Sequence, residues 1–117
     1  MRPQSAKAKG RLFQQKVRDA ILKAFPFLHP DDVRSTSMGA GGEDILLSHA
    51  ARTAFPYSVE CKKVEKLNIW EAIKQSKDNC GEHTPLVAFA RNNHEPWVAI
   101  PMDKFMELIS EKEDNNI

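Results

Sequence analysis

Two acidic residues and a lysine occur at a spacing that could bring them together on neighbouring strands. Asp44 opens a short apolar run, and Glu60 and Lys62 close a second segment whose residues favour extended backbone. If these strands pair antiparallel about a turn centred near Arg52, Asp44 and Glu60 each lie eight residues from that centre and face one another. Residues at i and i+2 share one face of a strand, so Lys62 joins the two carboxylates.

This combination of side chains is suited to binding a divalent cation. Opposed side chains have Cβ atoms roughly 4.5–5.5 Å apart, and like charges there repel unless a positive charge neutralises them. Oxygen ligands of this kind suit Mg²⁺ or Mn²⁺, which leave coordination positions for a substrate phosphate. The lysine would place a positive charge beside a water on the metal. The alternative interpretation is a solvated strand face, on which acidic and basic residues commonly alternate.

The order Asp-(x)15-Glu-x-Lys on consecutive strands resembles the PD-(D/E)xK nucleases. The glycine-rich loop, Gly-Glu-Asp-Ile-Leu-Leu and Val-Glu-Cys-Lys are most similar to the archaeal-type Holliday junction resolvases and related phage endonucleases, and the likeness covers nearly the whole chain. The resemblance implies an α/β fold with a restriction-endonuclease-like core, in which helices flank a central mixed five-stranded sheet. It implies a metal site formed by Asp44, Glu60 and the backbone carbonyl of Cys61, with Lys62 orienting the attacking water.

The resemblance also points to residues on two helices and a loop. Related nucleases carry an acidic residue on the first helix, where this chain has Gln14, an amide without charge. We expect Gln14 to lie near the site, and the alternative is an ordinary surface glutamine. Gln75, on the helix after Glu-x-Lys, matches a glutamine that reaches back to the site, although a plain surface position is equally compatible. The resemblance would bring Ser37 of the loop close to the substrate, with Ser35 or Thr36 as alternatives. The loop glycines, with Gly39 and Gly41 as candidate contacts, let another backbone approach closely, and a tight connection between two strands is the alternative for them.

The distribution of charge fits a polyanionic substrate. The net charge is only +1, yet residues 1–34 carry eight bases and three acids, a net +5, whereas residues 103–117 carry a net −3. The phosphate backbone supplies most of the non-specific affinity of DNA-binding proteins, so a basic segment before a carboxylate pair suits DNA. A solvated helix face is the alternative for the helical lysines, which include Lys23. The candidate DNA contacts are Lys9, Arg11, Lys16, Ser37, Gly39, Gly41 and Lys63.

Hydrophobic periodicity predicts the elements that must position these residues. Apolar residues recurring on one face predict a first helix that stops at Pro26, and a second helix is predicted between a cap at Asn68 and a stop at Gly81. Trp70 is predicted in the core, and a base-stacking platform is the alternative. A last helix is predicted to begin with Asp103 as its cap, and the segment from 49 to 56 is predicted to be a turn. The predicted order is helix, three strands, helix, two strands, helix; the strands are predicted at about 33–36, 45–47, 57–62, 86–90 and 97–100.

Length and composition limit the organisation of the chain. We expect one domain over residues 1–117, with a flexible basic N-terminus at 1–8 and a flexible acidic tail at 111–117. The two cysteines lack metal-site spacing, so reduced thiols are expected. No apolar run is long enough to cross a membrane, so we expect a cytoplasmic protein without a membrane partner, and the likeness to phage endonucleases is compatible with action in a host cytoplasm.

The sequence therefore predicts a Mg²⁺-dependent DNA endonuclease that hydrolyses phosphodiester bonds, most like a Holliday junction resolvase acting on four-way or branched DNA. Proteins of that family act as dimers, so a homodimer is expected. Two alternatives remain. One is a nicking or structure-tolerant phage endonuclease of the same fold, and the other is a catalytically inactive DNA-binding module, suggested by Gln14 in place of an acid.

Overall fold

The computed structural model describes residues 5–36 and 42–115. These residues form an α/β arrangement of four helices, a short 3₁₀ helix at Pro30–Asp32 and five strands. In chain order the elements are α1 (Ala6–Ala24), β1 (Val33–Ser35), β2 (Ile45–Leu47), α2 (His49–Ala54), β3 (Tyr57–Lys63), α3 (Ile69–Asn79), β4 (Thr84–Ala90), β5 (Trp97–Ala99) and α4 (Met102–Asn115).

The five strands divide between two sheets in the part of the chain that the structure describes. β1 pairs antiparallel with β2, while β3, β4 and β5 form a mixed sheet in which β3 and β4 are parallel and β5 is antiparallel to β4. The sequence predicts a single five-stranded sheet instead. Asp44, the residue before β2, is linked to β3 by the hydrogen bond from its N–H to the Val59 carbonyl, at 3.1 Å.

Helices α1 and α3 cover the two faces of the three-stranded sheet. Two parallel neighbouring strands need a crossover connection, and α3 provides it between β3 and β4. On the α1 side, the core contains Phe13, Val59 and Leu86. On the α3 side, the Ser76 hydroxyl donates a hydrogen bond of 3.4 Å to the Leu86 carbonyl. Since side chains alternate along β3, Val59 packs in the core on one face and the neighbouring Glu60 points to the other.

The segment between β2 and β3 is a helix, so the predicted turn is wrong. Ser48 caps α2 by accepting a hydrogen bond from the Ala51 N–H, and its hydroxyl donates to Asp32 at 2.7 Å. The sequence His-Ala-Ala-Arg-Thr-Ala has a high alanine content, and alanine has the highest helix propensity. Pro56 follows shortly after the helix has ended at Ala54. A good cap and a short alanine-rich run therefore explain the helix.

Helix α3 confirms the predicted cap and stop but not the predicted core residue. The Asn68 side chain accepts a hydrogen bond from the Glu71 N–H at 3.2 Å, and Gly81 has the left-handed φ of 54° that ends helices. Trp70 is 78% exposed, so its assignment to the core is wrong. The buried side chains of α3 are Ala72 and Ser76, which are small enough for close approach to the sheet.

The chain termini are more helical than the sequence predicts. Helix α1 begins at Ala6, inside the segment predicted as flexible, because the Ser5 side chain caps it by accepting from the Ala8 N–H at 3.1 Å. Helix α4 begins at Met102, before the predicted cap Asp103, and continues to Asn115, into the segment predicted as a tail. None of the described helices is long and apolar enough to cross a membrane.

Candidate metal and nucleic-acid site

Asp44 is fixed at the edge of β3 by hydrogen bonds to its backbone and to its side chain. The Thr36 N–H and hydroxyl donate to the Asp44 carbonyl at 2.9 and 3.2 Å, and the Asp44 N–H donates to Val59 at 3.1 Å. The Cys61 N–H donates to Asp44 Oδ2 at 2.7 Å. Val59 and Cys61 flank Glu60, so Asp44 lies beside Glu60, which confirms the proximity that the spacing predicts.

Helix α2 contributes a partly buried ion pair that the sequence patterns do not predict. The Arg52 guanidinium binds the Glu43 carboxylate, and their side chains are only 19% and 13% exposed. Arg52 also donates a hydrogen bond of 3.5 Å to the Tyr57 carbonyl. One side chain of α2 thus ties the residue before Asp44 to the first residue of β3. The chain folds this way because the arginine satisfies an acid and a backbone carbonyl together.

Glu60 is a buried carboxylate with incomplete compensation of its charge. The residue is 3% exposed, and its Oε1 lies 3.8 Å from the Lys62 Nζ. Burial is the main cause that raises the pKa of Glu60 to about 7, and the negative charge of Asp44 raises it further. Burial also raises the pKa of Asp44, against the opposing effects of the Cys61 N–H and Lys62. At neutral pH, the pair therefore favours either a shared proton or a nearby cation.

The donor atoms fit a divalent ion that keeps several waters. The N–H and C=O of one strand residue point to the same side, so the Cys61 carbonyl points toward the edge at which Asp44 lies. Together with Glu60, this offers two carboxylates and one backbone oxygen. The described residues contain no group of three or more His, Cys, Asp and Glu that could hold a metal. Mg²⁺ is commonly bound through one or two carboxylates and substrate phosphates, so two acids are sufficient for this class of site.

Gln14 is buried, and the alternative of an ordinary surface glutamine is therefore wrong. The residue is 4% exposed, and its Oε1 has no hydrogen-bond partner among the residues that the structure describes. Leaving a buried acceptor unsatisfied costs about 1–3 kcal/mol. The structure gives no hydrogen bond between Gln14 and either Asp44 or Glu60. It shows an unpartnered acceptor on the helix that is expected to complete the site, but no direct contact with the two carboxylates.

The α3 side of the site opens into a polar cleft. Lys62 and Gln75 both line this cleft, which has a volume of about 520 Å³, so Gln75 is exposed and yet close to the lysine. Asn79, one turn further along α3, lowers the pKa of Glu60 through its side-chain amide. Sequence reasoning missed Asn79. Its signal is the i+4 spacing from Gln75, which puts both amides on one side of the helix.

The α1 side of β3 opens into a second cleft, which is basic. Lys9 and Lys16 of α1 and Lys63 of β3 line it, together with Asn92 and Asn93, over a volume of about 400 Å³. The Lys63 Nζ lies 6.0 Å from the ring centroid of Phe13. The structure therefore brings three predicted DNA contacts together and adds two asparagines that were not predicted. Three other predicted contacts, Ser37, Gly39 and Gly41, lie outside the described residues.

The other four basic residues of α1, Lys7, Arg11, Arg18 and Lys23, do not line this cleft. Arg11 is exposed elsewhere on the helix, and Lys23 is exposed toward its end. Arg18 pairs with the adjacent Asp19 at 2.7 Å. The basic side of α1 is therefore divided, and the part nearest β3 consists of Lys9 and Lys16.

Comparisons with protein-family models, with curated proteins and with solved structures found no match to this chain. The resemblance to PD-(D/E)xK nucleases consequently depends on the Asp-(x)15-Glu-x-Lys pattern and its flanking segments. The geometry of Asp44, Glu60 and Lys62 is an independent observation, since it follows from hydrogen bonds and burial.

Proposed function

We propose that this chain is a Mg²⁺- or Mn²⁺-dependent DNA endonuclease of the PD-(D/E)xK type, most like a Holliday junction resolvase. The observation that carries the proposal is the pair formed by the partly buried Asp44 and the buried Glu60 beside Lys62. Two neighbouring carboxylates with raised pKa values destabilise a fold when they are ionised. Residues with shifted pKa values cluster at functional sites, where the chemistry that they permit offsets the loss of folding stability that they cause.

The two carboxylates have separate tasks in this proposal. Asp44 has one oxygen occupied by the Cys61 N–H, which fixes its orientation and leaves the other oxygen for a ligand. Glu60 would be the second ligand. Asn79 and Lys62 both act to lower the pKa of Glu60 and so favour its charged form. The chemistry that a bound Mg²⁺ or Mn²⁺ supplies is polarisation of a phosphodiester and activation of water.

Lys62 is the residue that would act on the reacting groups. Its ammonium lies 3.8 Å from Glu60, and the side chain is 29% exposed, so it can reach both the carboxylate and a substrate in the cleft. A fixed positive charge there would orient the attacking water and offset the negative charge that develops on the phosphate. Gln75, on the wall of the same cleft, is suited to hydrogen bonding with a phosphate or a water.

The two clefts support a polyanionic substrate that passes across the end of β3. Lys62 and Lys63 are adjacent on one strand and therefore point to opposite faces. Lys62 lines the α3 cleft, whereas Lys63 joins Lys9 and Lys16 in the α1 cleft. Positive groups on both sides of the carboxylate pair would hold phosphates of a DNA backbone on either side of the cut.

The proposal extends to the architecture and the assembly. In the restriction-endonuclease-like core, all five strands belong to one central sheet, and here β2 is tied to β3 through the hydrogen bonds that Asp44 makes with Val59 and Cys61. Symmetric cleavage of a four-way junction needs two sites, so the active form would be a homodimer. Its activity would take place in the cytoplasm, either of the cell that encodes it or of a phage host.

A second candidate is a DNA-binding module without catalysis. It is favoured by Gln14, which replaces the acid expected on the first helix, and by the presence of only two carboxylates in the described part of the site. This alternative predicts DNA binding that is indifferent to Asp44→Asn and no cleavage with any divalent ion. A nicking endonuclease of the same fold would use the same residues and differ only in the DNA geometry that it cuts.

The test is cleavage of a labelled immobile four-way junction in Mg²⁺, beside its linear duplex and its single strands. We expect paired, symmetric nicks near the branch point, which are abolished in Asp44→Asn and retained in Glu82→Gln, an exposed acid in the α3–β4 turn. Equal cutting of all three DNAs would reject junction specificity while keeping the metal site. Tight binding without cutting in Mg²⁺ or Mn²⁺ would favour the inactive module.

A further inference from the structure

Helix α4 presents its apolar side to solvent. Four residues at i, i+3, i+4 and i+7 form one stripe along the helix, which we call the α4 stripe: Met102, Phe105, Met106 and Ile109. Each is between 47% and 75% exposed. An amphipathic helix at a protein surface normally buries such a stripe against the core, so this stripe lacks its usual partner in the described part of the chain.

The opposite side of α4 faces the protein body. Lys104 is partly buried, whereas the other described side chains from Met102 to Lys112 are exposed. Lys104 pairs with Glu107 at 3.5 Å, and the carboxylates of Glu111 and Glu107 add to the effect of burial in raising the pKa of Tyr57, which begins β3. The polar side of the helix therefore lies toward β3, and the apolar stripe points outward.

A groove of matching character lies next to the start of α4. It is formed between α3 and β5, has a volume of about 530 Å³, and we call it the α3–β5 groove. Its lining is apolar apart from Ser76 and Lys77; the other residues are Trp70, Ile73, Pro85, Val87, Ala99, Ile100 and Pro101. β5 is the edge strand of the three-stranded sheet, so the groove borders an open sheet edge.

The apolar side chains of the stripe and of the groove wall are enough for a dimer interface. The four residues of the α4 stripe and Trp70, which lines the groove, are each 47–78% exposed. Their combined exposed surface is on the order of 600 Å², at the upper end of the roughly 300–600 Å² of the largest apolar patch on a typical monomer. A standard interface buries about 800 Å² on each partner, of which somewhat more than half is apolar, so this apolar area is sufficient.

We propose that two copies of this chain associate by placing the α4 stripe of each copy in the α3–β5 groove of the other. No residue of α4 lines the groove of its own chain: the lining ends at Ile100 and Pro101, and α4 continues from them with its polar side toward β3. A reciprocal exchange gives a closed two-fold interface, in which every stripe and every groove is occupied. This assembly does not depend on the chain being a nuclease.

The test is sedimentation equilibrium of the full chain without DNA or divalent ions, so its result is separate from the cleavage test. Wild type is expected at twice the chain mass of 13.3 kDa. Ile109→Glu in the stripe and Trp70→Glu in the groove should each raise the dissociation constant by at least about 100-fold, because a two-fold interface contains every change twice. Phe27→Glu is the matched control, since Phe27 is 74% exposed on the loop after α1 and should leave the mass unchanged.

Mixing the two variants tests the reciprocal arrangement. A heterodimer of Ile109→Glu with Trp70→Glu has one contact with both changes and one contact that is intact, so the mixture should associate more tightly than either variant alone. Circular dichroism should show wild-type helix content for both, because both positions are exposed. A monomeric wild type would overturn the proposal, and so would a Trp70→Glu variant that remains dimeric while Ile109→Glu is monomeric, since that result indicates pairing of α4 with α4.

Discussion

Replacing Glu60 with glutamine removes a buried negative charge and keeps the size of the side chain. The carboxylate is 3% exposed and lies beside Asp44, and its pKa is raised from 4.5 to about 7. The folded protein therefore holds this proton more tightly than the unfolded chain does. The resulting stabilisation is complete below about pH 4.5 and is lost as the pH rises through 7, because ionised Glu60 is then forced into the fold.

The magnitude follows from the size of that shift. Each pKa unit corresponds to about 1.4 kcal/mol, so ionisation of Glu60 costs at most about 3.5 kcal/mol at pH 8, and access of water from the adjacent cleft reduces this cost to roughly 1–3 kcal/mol. Removal of the ion pair with Lys62 opposes the gain by up to about 1 kcal/mol. We therefore expect Glu60→Gln to unfold with a free energy about 1–2 kcal/mol higher than wild type at pH 8, and with no gain at pH 5.

The assay is urea unfolding at pH 5 and pH 8 in the presence of a chelator. Glu82→Gln is the control, since Glu82 is exposed and should behave as wild type at both values. Adding Mg²⁺ at pH 8 should stabilise wild type and Glu82→Gln but not Glu60→Gln, because the cation replaces the missing proton. The reasoning would be refuted if Glu60→Gln lost stability equally at both pH values, since Glu60 would then be an ordinary hydrogen-bonded core residue.

Two further predictions concern the cationic side chains. Lys62→Met should reduce the cleavage rate at saturating DNA more than it weakens DNA binding, and a defect confined to binding, measured by titration with labelled DNA, would make Lys62 only a phosphate-binding residue. Replacing Lys9, Lys16 and Lys63 together with glutamine should flatten the dependence of log affinity on log salt by up to about 0.9 for each phosphate that these lysines neutralise. The matched control is Lys23→Gln, which lies outside the basic cleft, and equal slopes for the triple variant and wild type would show that these lysines are merely solvated.

Helices α1 and α3 are predictable because their signals are local. Apolar residues recur with a helical period in α1, and α3 has a cap at Asn68 and a glycine at its end. The proximity of Asp44 and Glu60 is predictable because each lies eight residues from Arg52, the centre of the segment between them. That prediction survives although the intervening segment is a helix, because the main-chain contact of Asp44 with Val59 fixes the register.

The features that could not be predicted from the sequence depend on tertiary packing. A helix as short as α2 is by itself hardly more stable than a turn. It is stabilised by the Ser48 cap and by the Arg52–Glu43 ion pair, which forms only when the loop before β2 is folded. Gln14 is polar, and nothing local distinguishes a buried amide from an exposed one. The sequence assigns Trp70 to the core because large aromatic residues are highly buried on average, whereas small Ala72 takes the place next to the sheet.

The exposed apolar face of helix α4 likewise depends on packing that the sequence does not reveal. Its apolar period predicts a buried face, yet that face points away from the chain that carries it. Periodicity identifies which side of a helix is apolar and does not identify the molecule that covers it.

Cleavage of labelled DNA in Mg²⁺ and in Mn²⁺ by wild type, Glu60→Gln and Glu82→Gln tests the central claim most directly, provided that binding of the same DNA is measured in parallel. We expect cleavage by wild type and Glu82→Gln, and none by Glu60→Gln despite DNA binding that is equal or tighter, because the variant lacks one ligand and one negative charge. Cleavage by Glu60→Gln at the wild-type rate would contradict the assignment of Asp44, Glu60 and Lys62 as the active site. Binding without cleavage by the wild-type protein in both ions would contradict the proposed activity itself.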